Sequence, residues 1–501
     1  MKSNLLDKLI GIFSPEAEMK RVKARGKTDF LKRSYDAAKT FNTDDWTSST
    51  HGSANSETRS AQSTLRSKGR DAIRNNPYAG RGLNAIVSNT VGSGIVPNIK
   101  GKNKLQTRRI KEAWKQWAET TLCDSSGKLN FYSMQALALR SAAEAGESLV
   151  IKEISKDGMS LRLLESDFIV SHRDTALTDD KNDVVIQGVK VRDGKVKSYF
   201  LYDSHPGESV ASLAHREVSA ENLCHIYRQD RPGQLRGVSW FHPVIRQLED
   251  FNEYQQATLI NRKVSACFTA FITTNDNDAT LSPADLKAKR ESQMQLSPAQ
   301  VMHLAQGEGV EFAAPPAISG YDEYCRQTLR AIASGLNVTY EALTSDYSQV
   351  NFSSGRMGHI EFRRNVEMWR WSMLIPQFCE PAFEHFLKWC SIVKGIPTEG
   401  VSVEWVCPAW ALIDPDKEIS AMVKGLRNGL TSRPKAILEL GHDPEQLDQE
   451  IADSNEKLDS LKIILDSDPR KTTQAGLFQV TQSQQSNTPS EPETIKEIKD
   501  E

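Results

Sequence analysis

Apolar positions recur at two periods along the chain, and each change of period marks a boundary. The pattern predicts order from about Thr64, with helix across Leu65 to Arg74 and a turn signal at Asn75-Asn76-Pro77-Tyr78 before a second helix. Val91-Gly92-Ser93-Gly94-Ile95-Val96-Pro97 reads as a tight bend entering a strand. Ile110, Trp114, Trp117 and Leu122 then fall at helical spacing between Leu105 and Leu122, while Lys and Arg fill the other face, which makes the tryptophans core. Phe131 to Ala145 is helical too.

The period then drops to two over Glu147 to Ile154, Leu161 to Val170, Val184 to Val191 and Lys195 to Leu201. Asp193-Gly194 joins the last two runs, because this dipeptide readily adopts the positive φ angles of a tight hairpin. A β-rich module therefore occupies about 147–228. Pro243 suits a helix's first turn, and Val244, Leu248, Phe251 and Leu259 form a stripe that carries this helix to about Phe271.

Turn signals crowd the insertion 273–316, after which Cys325, Leu329, Ile332 and Leu336 mark a second helix from Tyr321 to Asn337, positioned to pair with the first. A loop from Thr339 to Ser354 leads into helix from Gly355 to about Val393, ~39 residues or ~58 Å long, which Pro376 and Pro381 must kink or divide. Asp414 and Pro415 read as the N-cap and first position of a further helix, and helices continue to about Leu465.

Composition adds limits. The 501 residues, 38% hydrophobic and 26% charged, suit several soluble cores, and no apolar run approaches the ~20 residues of a membrane span. At the amino terminus, Leu5, Leu6, Leu9, Ile10 and Phe13 share a helical face that Asp7 and Lys8 disqualify as an export signal, so it reads as a docking helix. A basic arm (Lys20 to Arg33) and a polar stretch (Thr40 to Ser60) follow, and the Gln-, Ser- and Glu-rich tail from Ser467 lacks apolar area to order it.

The seven cysteines form no C-x-x-C pair and read as reduced, buried thiols. A net charge of −2 excludes bulk cationic binding of nucleic acid. There is no Walker loop, H-E-x-x-H or G-x-S-x-G, and Asp414 and Glu418, four apart, are better read as a cap than as metal ligands. Catalytic residues, cofactor and metal are therefore expected to be absent.

Several motifs occur in a telling order: Arg74-Asn75-Asn76-Pro77-Tyr78, Val91-Gly92-Ser93-Gly94-Ile95, Arg231-Pro232-Gly233-Gln234, and Arg236-Gly237-Val238-Ser239-Trp240. The loop Leu343-Thr344-Ser345-Asp346-Tyr347-Ser348-Gln349-Val350-Asn351-Phe352-Ser353-Ser354 with Arg356 is the most specific, and Ile413-Asp414-Pro415 with Lys417-Glu418 closes the series. Over about residues 60–455 the chain resembles the lambda-type portal proteins of tailed bacteriophages. Ser345 stands where that family suggests glycine, and Phe352 where it suggests tyrosine.

The resemblance implies an α+β, multi-domain portal-type subunit with a β-rich and helical wing, a two-helix stem, an inserted α/β clip, a long kinked wing helix and an α-helical crown. Its parts would be a mobile N-terminal arm 1–60, wing 61–237, first stem helix 238–271, clip 272–317, second stem helix 318–338 and channel loop 339–354. The long wing helix 355–395, a C-terminal wing strand with helical crown 396–466, and a disordered tail 467–501 complete it.

It further implies a head-tail connector: a homo-oligomeric ring, usually a dodecamer, at one capsid vertex, through which double-stranded DNA is packaged and ejected. Expected partners are the terminase large subunit, then a neck or head-completion protein, and the major capsid or scaffold protein, with no membrane. The expected location is the virion, reached from the host cytoplasm during assembly. Asp346, Tyr347, Ser348, Gln349, Val350, Asn351, Phe352, Ser353, Ser354 and Arg356 would line the DNA channel. The rival readings are a phage DNA-processing enzyme, which needs clustered carboxylates, and another capsid structural protein, against which the split helix pair with its insertion argues.

Overall fold

The computed structural model describes residues 52–155, 158–174, 183–208, 212–267, 271–274, 308–311, 320–465, 468 and 470. The expectations for 1–51, for most of the clip 272–317 and for most of the tail 467–501 lie outside them. The described chain is mixed α and β, in two units that divide at Pro408 and Ala409. Among the described residues no helix is long and apolar enough to cross a membrane.

The first unit opens with α1 (Ala54–Asn75), ten residues ahead of the Thr64 start that the apolar spacing suggested, because the Ser53 side chain accepts from the Ser56 amide and caps a polar first turn. Asn76 ends α1 and caps α2 (Pro77–Thr90), accepting from the amides of Tyr78 and Ala79 with Pro77 at the first position. The glycine bend follows with Gly92 at φ +52 and Gly94 at φ +116, where an added Cβ would strike the Tyr132 ring. Strand β1 (Val96–Gly101) leaves this bend and pairs antiparallel with β11 (Val401–Val406), some 300 residues later.

Helix α3 (Lys104–Ala118) buries Trp114 and Trp117 as expected, in an aromatic cluster with Phe131, Phe383 and Phe386. It stops short of Leu122, which a 3-10 turn (Thr121–Cys123) carries outward to 62% exposure. Helix α4 (Phe131–Ala145) ends at Gly146, φ +97, and leads directly into β2 (Glu147–Ile154). Strand β2 lies between β3 (Met159–Glu165) and β8 (Leu223–Tyr227), and is buried on both faces for its first six residues.

A second sheet runs β4 (Asp183–Ile186), β5 (Val189–Arg192), β6 (Lys195–Tyr202), β7 (His215–Ser219). Leu149, Ile151 and Leu223 from the first sheet meet Val189, Tyr199 and Leu201 from the second, the alternate residues of each strand facing the shared core. Asp193 (φ +51) and Gly194 (φ +74) form the expected tight turn. Two expected strands are shorter than their apolar runs. The run Val184 to Val191 is itself a hairpin, because Gln187 (φ +49) and Gly188 (φ +78) reverse it, and Leu161 to Val170 breaks at a 3-10 turn (Ser166–Phe168) that aims Asp167 at Arg66 and Arg70.

Helix α5 (Ile245–Cys267) begins two residues after Pro243, and the next described element is β9 (Phe271–Thr274), which pairs antiparallel with β10 (Glu308–Glu311). Helix α6 (Tyr321–Gly335) returns alongside α5: Tyr254 contacts Tyr321 and Tyr324 at its start, and Val244 packs where a Cβ on Gly335 would stand. The pair is thus antiparallel. Leu259 does not continue the buried stripe. It is 54% exposed, since α5 leaves the core after Thr258.

After a short α7 (Tyr340–Thr344), helix α8 (Phe352–Trp369) continues without a break through a π-helix (Arg370–Cys379) into α9 (Glu380–Ile392). Pro376 sits inside the π segment. In an α-helix its ring would meet the carbonyl four residues back, and the wider π turn accommodates it without ending the helix. Pro381 follows at the point where the π-helix passes into α9, so its missing amide falls at the same change of helix type. Arg370, buried, donates to the carbonyls of Asn89 and Thr90 (2.9 and 2.8 Å) and closes the C-terminus of α2.

The second unit holds α10 (Pro415–Arg427), α11 (Arg433–Glu439) and α12 (Pro444–Ser460), each with a proline in its first turn after an Asp or Ser cap. Asp414 caps α10 as expected, and the Glu418 carboxylate accepts from the amides of Ile413 and Asp414. Only Ala436 and Ile437 of these helices are buried, while Ile419, Val423 and Ile451 are exposed.

The deepest polar feature of the first unit is Glu147, wholly buried at the start of β2. Its carboxylate takes two hydrogen bonds from Arg236 Nε (2.9 and 3.1 Å) and another from Arg236 Nη2, and pairs with the His225 ring at 2.9 Å. It also accepts from Gln62 at 3.0 Å and from the Gly237 amide at 3.1 Å. Burial alone would raise its pKa, but Arg236 and the His225 bond hold it well below the ordinary carboxylate range. Glu147→Gln is expected to cost about 3–5 kcal/mol in chemical denaturation, by leaving Arg236 buried and unpaired. A depressed folded pKa stabilises above the unfolded value and is lost as pH falls below about 4.5. Wild-type stability should therefore fall below that pH, and less steeply in the variant.

Candidate functional site

The segment between α6 and α8 is less a free loop than its composition implied. Thr339 caps α7 by accepting from the Ala342 amide (3.1 Å), and Asn351 caps α8 by accepting from the Ser354 amide (2.8 Å), with Ser354 Oγ taking the Asn351 amide in return. Only Ser345 to Asn351 lies between the two helices. Phe352, Ser353, Ser354 and Arg356 therefore stand in the first turns of α8, because the Asn351 capping box starts that helix three residues before the expected Gly355.

Ser345 ends α7 in the left-handed conformation (φ +59). Glycine occupies that region without strain, which gives the family's expected glycine a physical reason. The link is stiffened by Asp346, which accepts from the Tyr340 hydroxyl (3.0 Å) and from the Ser348 amide (3.0 Å). The Ser348 hydrogen bonds, aided by Tyr340, lower the Asp346 pKa, so the link keeps its negative charge. The Val350 amide donates to the Tyr347 carbonyl (3.2 Å).

Around this frame, Tyr347 (64%) and Phe352 (61%) present large rings to the exterior. Ser348, Gln349, Asn351, Ser353, Ser354 and Arg356 are exposed beside them, and Asp346 and Val350 are half-buried. The ten residues thus form one continuous polar and aromatic surface. Helix α7, which leads into it, packs on α2, where Gly82 admits Leu336 and Leu343 and Arg81 donates to the Ala342 carbonyl (3.2 Å).

One group among the described residues brings three metal-capable ligands together: Glu165, Asp167 and His205. Arg66 and Arg70 already occupy its carboxylates, Arg66 on Asp167 at 3.0 Å and Arg70 on Asp167 and Glu165 at 2.6 and 3.0 Å. Two guanidiniums in the shell oppose a dication, so the group reads as an ion-pair network. The cysteine expectation holds for Cys123, Cys224, Cys379 and Cys390, which are buried, whereas Cys325 and Cys407 are half-buried at packing edges. Burial pushes the Cys224 and Cys390 thiols up to about 11.

Sequence reasoning missed two features. The network joins Glu147 to partners up to 90 positions away, and its only local trace is Arg236-Gly237, quoted above as part of a motif. An added Cβ on Gly237 would collide with the Gly146 carbonyl oxygen, so this glycine is required by backbone approach. The Tyr340–Asp346 bond is likewise tertiary detail that composition does not carry.

A family model, "Phage portal protein, lambda family", matches residues 41–370. The probable portal protein of Halomonas phage phiHAP-1 is 26% identical over 80% of this chain and 81% of its own length. The portal protein of Escherichia phage N15 is 25% identical (77% and 83%), and portal protein B of Escherichia phage lambda 24% (75% and 80%). Among solved structures, the neck of an empty gene transfer agent particle is 14% identical, covering 76% of this chain and 94% of that chain at a TM-score of 0.46. The chain belongs to the lambda family of phage portal proteins.

The caps make the link testable. Asn351→Ala should cost about 1 kcal/mol in the first turn of α8. Amide hydrogen exchange at 352–356 is expected to quicken while exchange in α9 stays unchanged. Ser345→Gly should slow exchange across 345–350 by relieving the left-handed conformation.

Proposed function

We propose that this chain assembles into a closed homo-oligomeric ring, of twelve subunits, at one capsid vertex, and that double-stranded DNA passes through its centre during packaging and ejection. Family membership supports the portal role, and the antiparallel α5–α6 pair leaving the core supports the assignment of parts. In this reading α5 and α6 are the stem, the insertion beyond β9 and β10 is the clip, and residues 61–237 with α8 and α9 make the wing. The second unit is the crown. Its exposed Ile419, Val423 and Ile451 suit burial against other subunits.

The polar and aromatic surface from Asp346 to Arg356 lines the channel in this reading. Serine, glutamine and asparagine give weak, sequence-independent contacts, and Asp346 repels phosphate, so the duplex is guided without being gripped. A channel that neutralised many phosphates would resist sliding. The clip docks the terminase large subunit, which supplies the energy, and later a neck or head-completion protein. The major capsid or scaffold protein surrounds the ring, which forms in the host cytoplasm and ends in the virion.

Light scattering is expected to give the mass of twelve 56.0 kDa chains, with rings holding a central hole in end-on electron micrographs. Deleting Tyr347 to Val350 should leave that mass unchanged while packaged or retained DNA falls several-fold. A compact monomer or dimer at all salt concentrations would overturn the ring. Unchanged packaging and retention would overturn the role of the link.

A further inference from the structure

We propose that the cationic face of α3 is a second contact surface for duplex DNA, holding the phosphate backbone without sequence preference on elements distinct from the α7–α8 link. Between Lys100 and Lys115 the chain carries seven cations against one carboxylate, Glu112, although the whole protein has a net charge of −2. Lys104, Arg108, Lys111 and Lys115 follow one another at i, i+4, i+7 and i+11. They therefore make a single row about 16 Å long, roughly five base-pair steps of a duplex.

The row is held rigid from behind. Ile110, Trp114 and Trp117 on the opposite face are buried, and the Trp117 indole donates to the Met159 carbonyl at 2.8 Å. Such a platform presents its charges without first having to order a loop. Lys104, Arg108 and Lys115 are exposed, and Lys111 is half-buried. Arg108 bonds Glu112 at 2.9 Å, an exposed pair that water and salt screen strongly, so it can exchange its carboxylate for a phosphate. Arg109 and Lys394, the latter 4.7 Å from the Trp389 ring, line a shallow depression beside Glu112 and Gln116 and widen the positive field.

Charge complementarity selects the occupant. A row of cations at one-turn spacing fits the evenly spaced phosphates of a linear polyanion, a contact that carries no base sequence. Helix α3 packs on β1 and the aromatic cluster, whereas α7, which opens the link, packs on α2 and α6, so the two surfaces can be altered separately.

Covalently closed circular DNA cannot thread a closed ring, so its binding reports outer surfaces alone. The full-length protein is compared with Lys104→Gln, Arg108→Gln, Lys111→Gln, Lys115→Gln combined, using a relaxed plasmid at several salt concentrations. The variant is expected to bind at least ten-fold more weakly, with the slope of log affinity against log salt reduced by about 3. A second variant that exchanges Lys for Arg and Arg for Lys at the same four positions should bind as the parent does, which separates charge from folding. Equal affinity and slope for the Gln variant would overturn the proposal. So would unchanged plasmid binding with lost incorporation into particles, which would assign the row to an acidic protein surface. Ring mass measured on the same samples tests the portal reading independently.

Discussion

Everything in the first unit is arranged around a carboxylate that has no access to water. Glu147 sits where α4 turns into β2, and an ion there is tolerable only if its charge and lone pairs are fully met. Arg236, His225, Gln62 and the Gly237 amide meet them, and Arg66 approaches at 3.5 Å while bonding Asp167. These partners come from α1, β8 and the segment leading to α5. Arg236 also donates to the Gln187 carbonyl in the second sheet (2.8 Å). One buried ion thus ties four stretches of chain to the root of the helix pair, and the close approach of Gly146 and Gly237 leaves no room for another arrangement.

The root being fixed, the rest of the pair need not be buried. Helix α5 leaves the core after Thr258, and the Tyr254–Tyr321–Tyr324 contacts hold it to α6. The link from α7 to α8 is handled differently: capping groups at Thr339 and Asn351 and the Asp346 hydrogen bonds define its backbone, leaving its outer surface polar. For the proposed channel role, a rigid frame with weakly interacting side chains suits contact with a moving polyanion better than a flexible cationic loop would. Helix α3 divides its labour by face, with aromatic packing behind and cations in front.

Much of this was legible from the chain. Local rules located Asp193-Gly194, the break between helices at Asn75-Asn76-Pro77-Tyr78, the Asp414 cap and the buried tryptophans, since each depends on a few neighbouring residues. The resemblance to portal proteins rested on ordered motifs that the family model supports over residues 41–370. The misplacements share one cause. Gln187 carries no strong turn signal, so its hairpin passed for one strand. Leu259 kept the apolar period on a helix that had left its core.

The sequence by itself thus determined much of the succession of helices and strands, the Asp414 cap and the family, because periodicity, turn chemistry and motif order act over short spans. The tertiary structure alone decided which faces are covered and how the Arg236-Gly237 motif functions. Its partner Glu147 lies 89 residues away, and only folding brings the two charges out of water together.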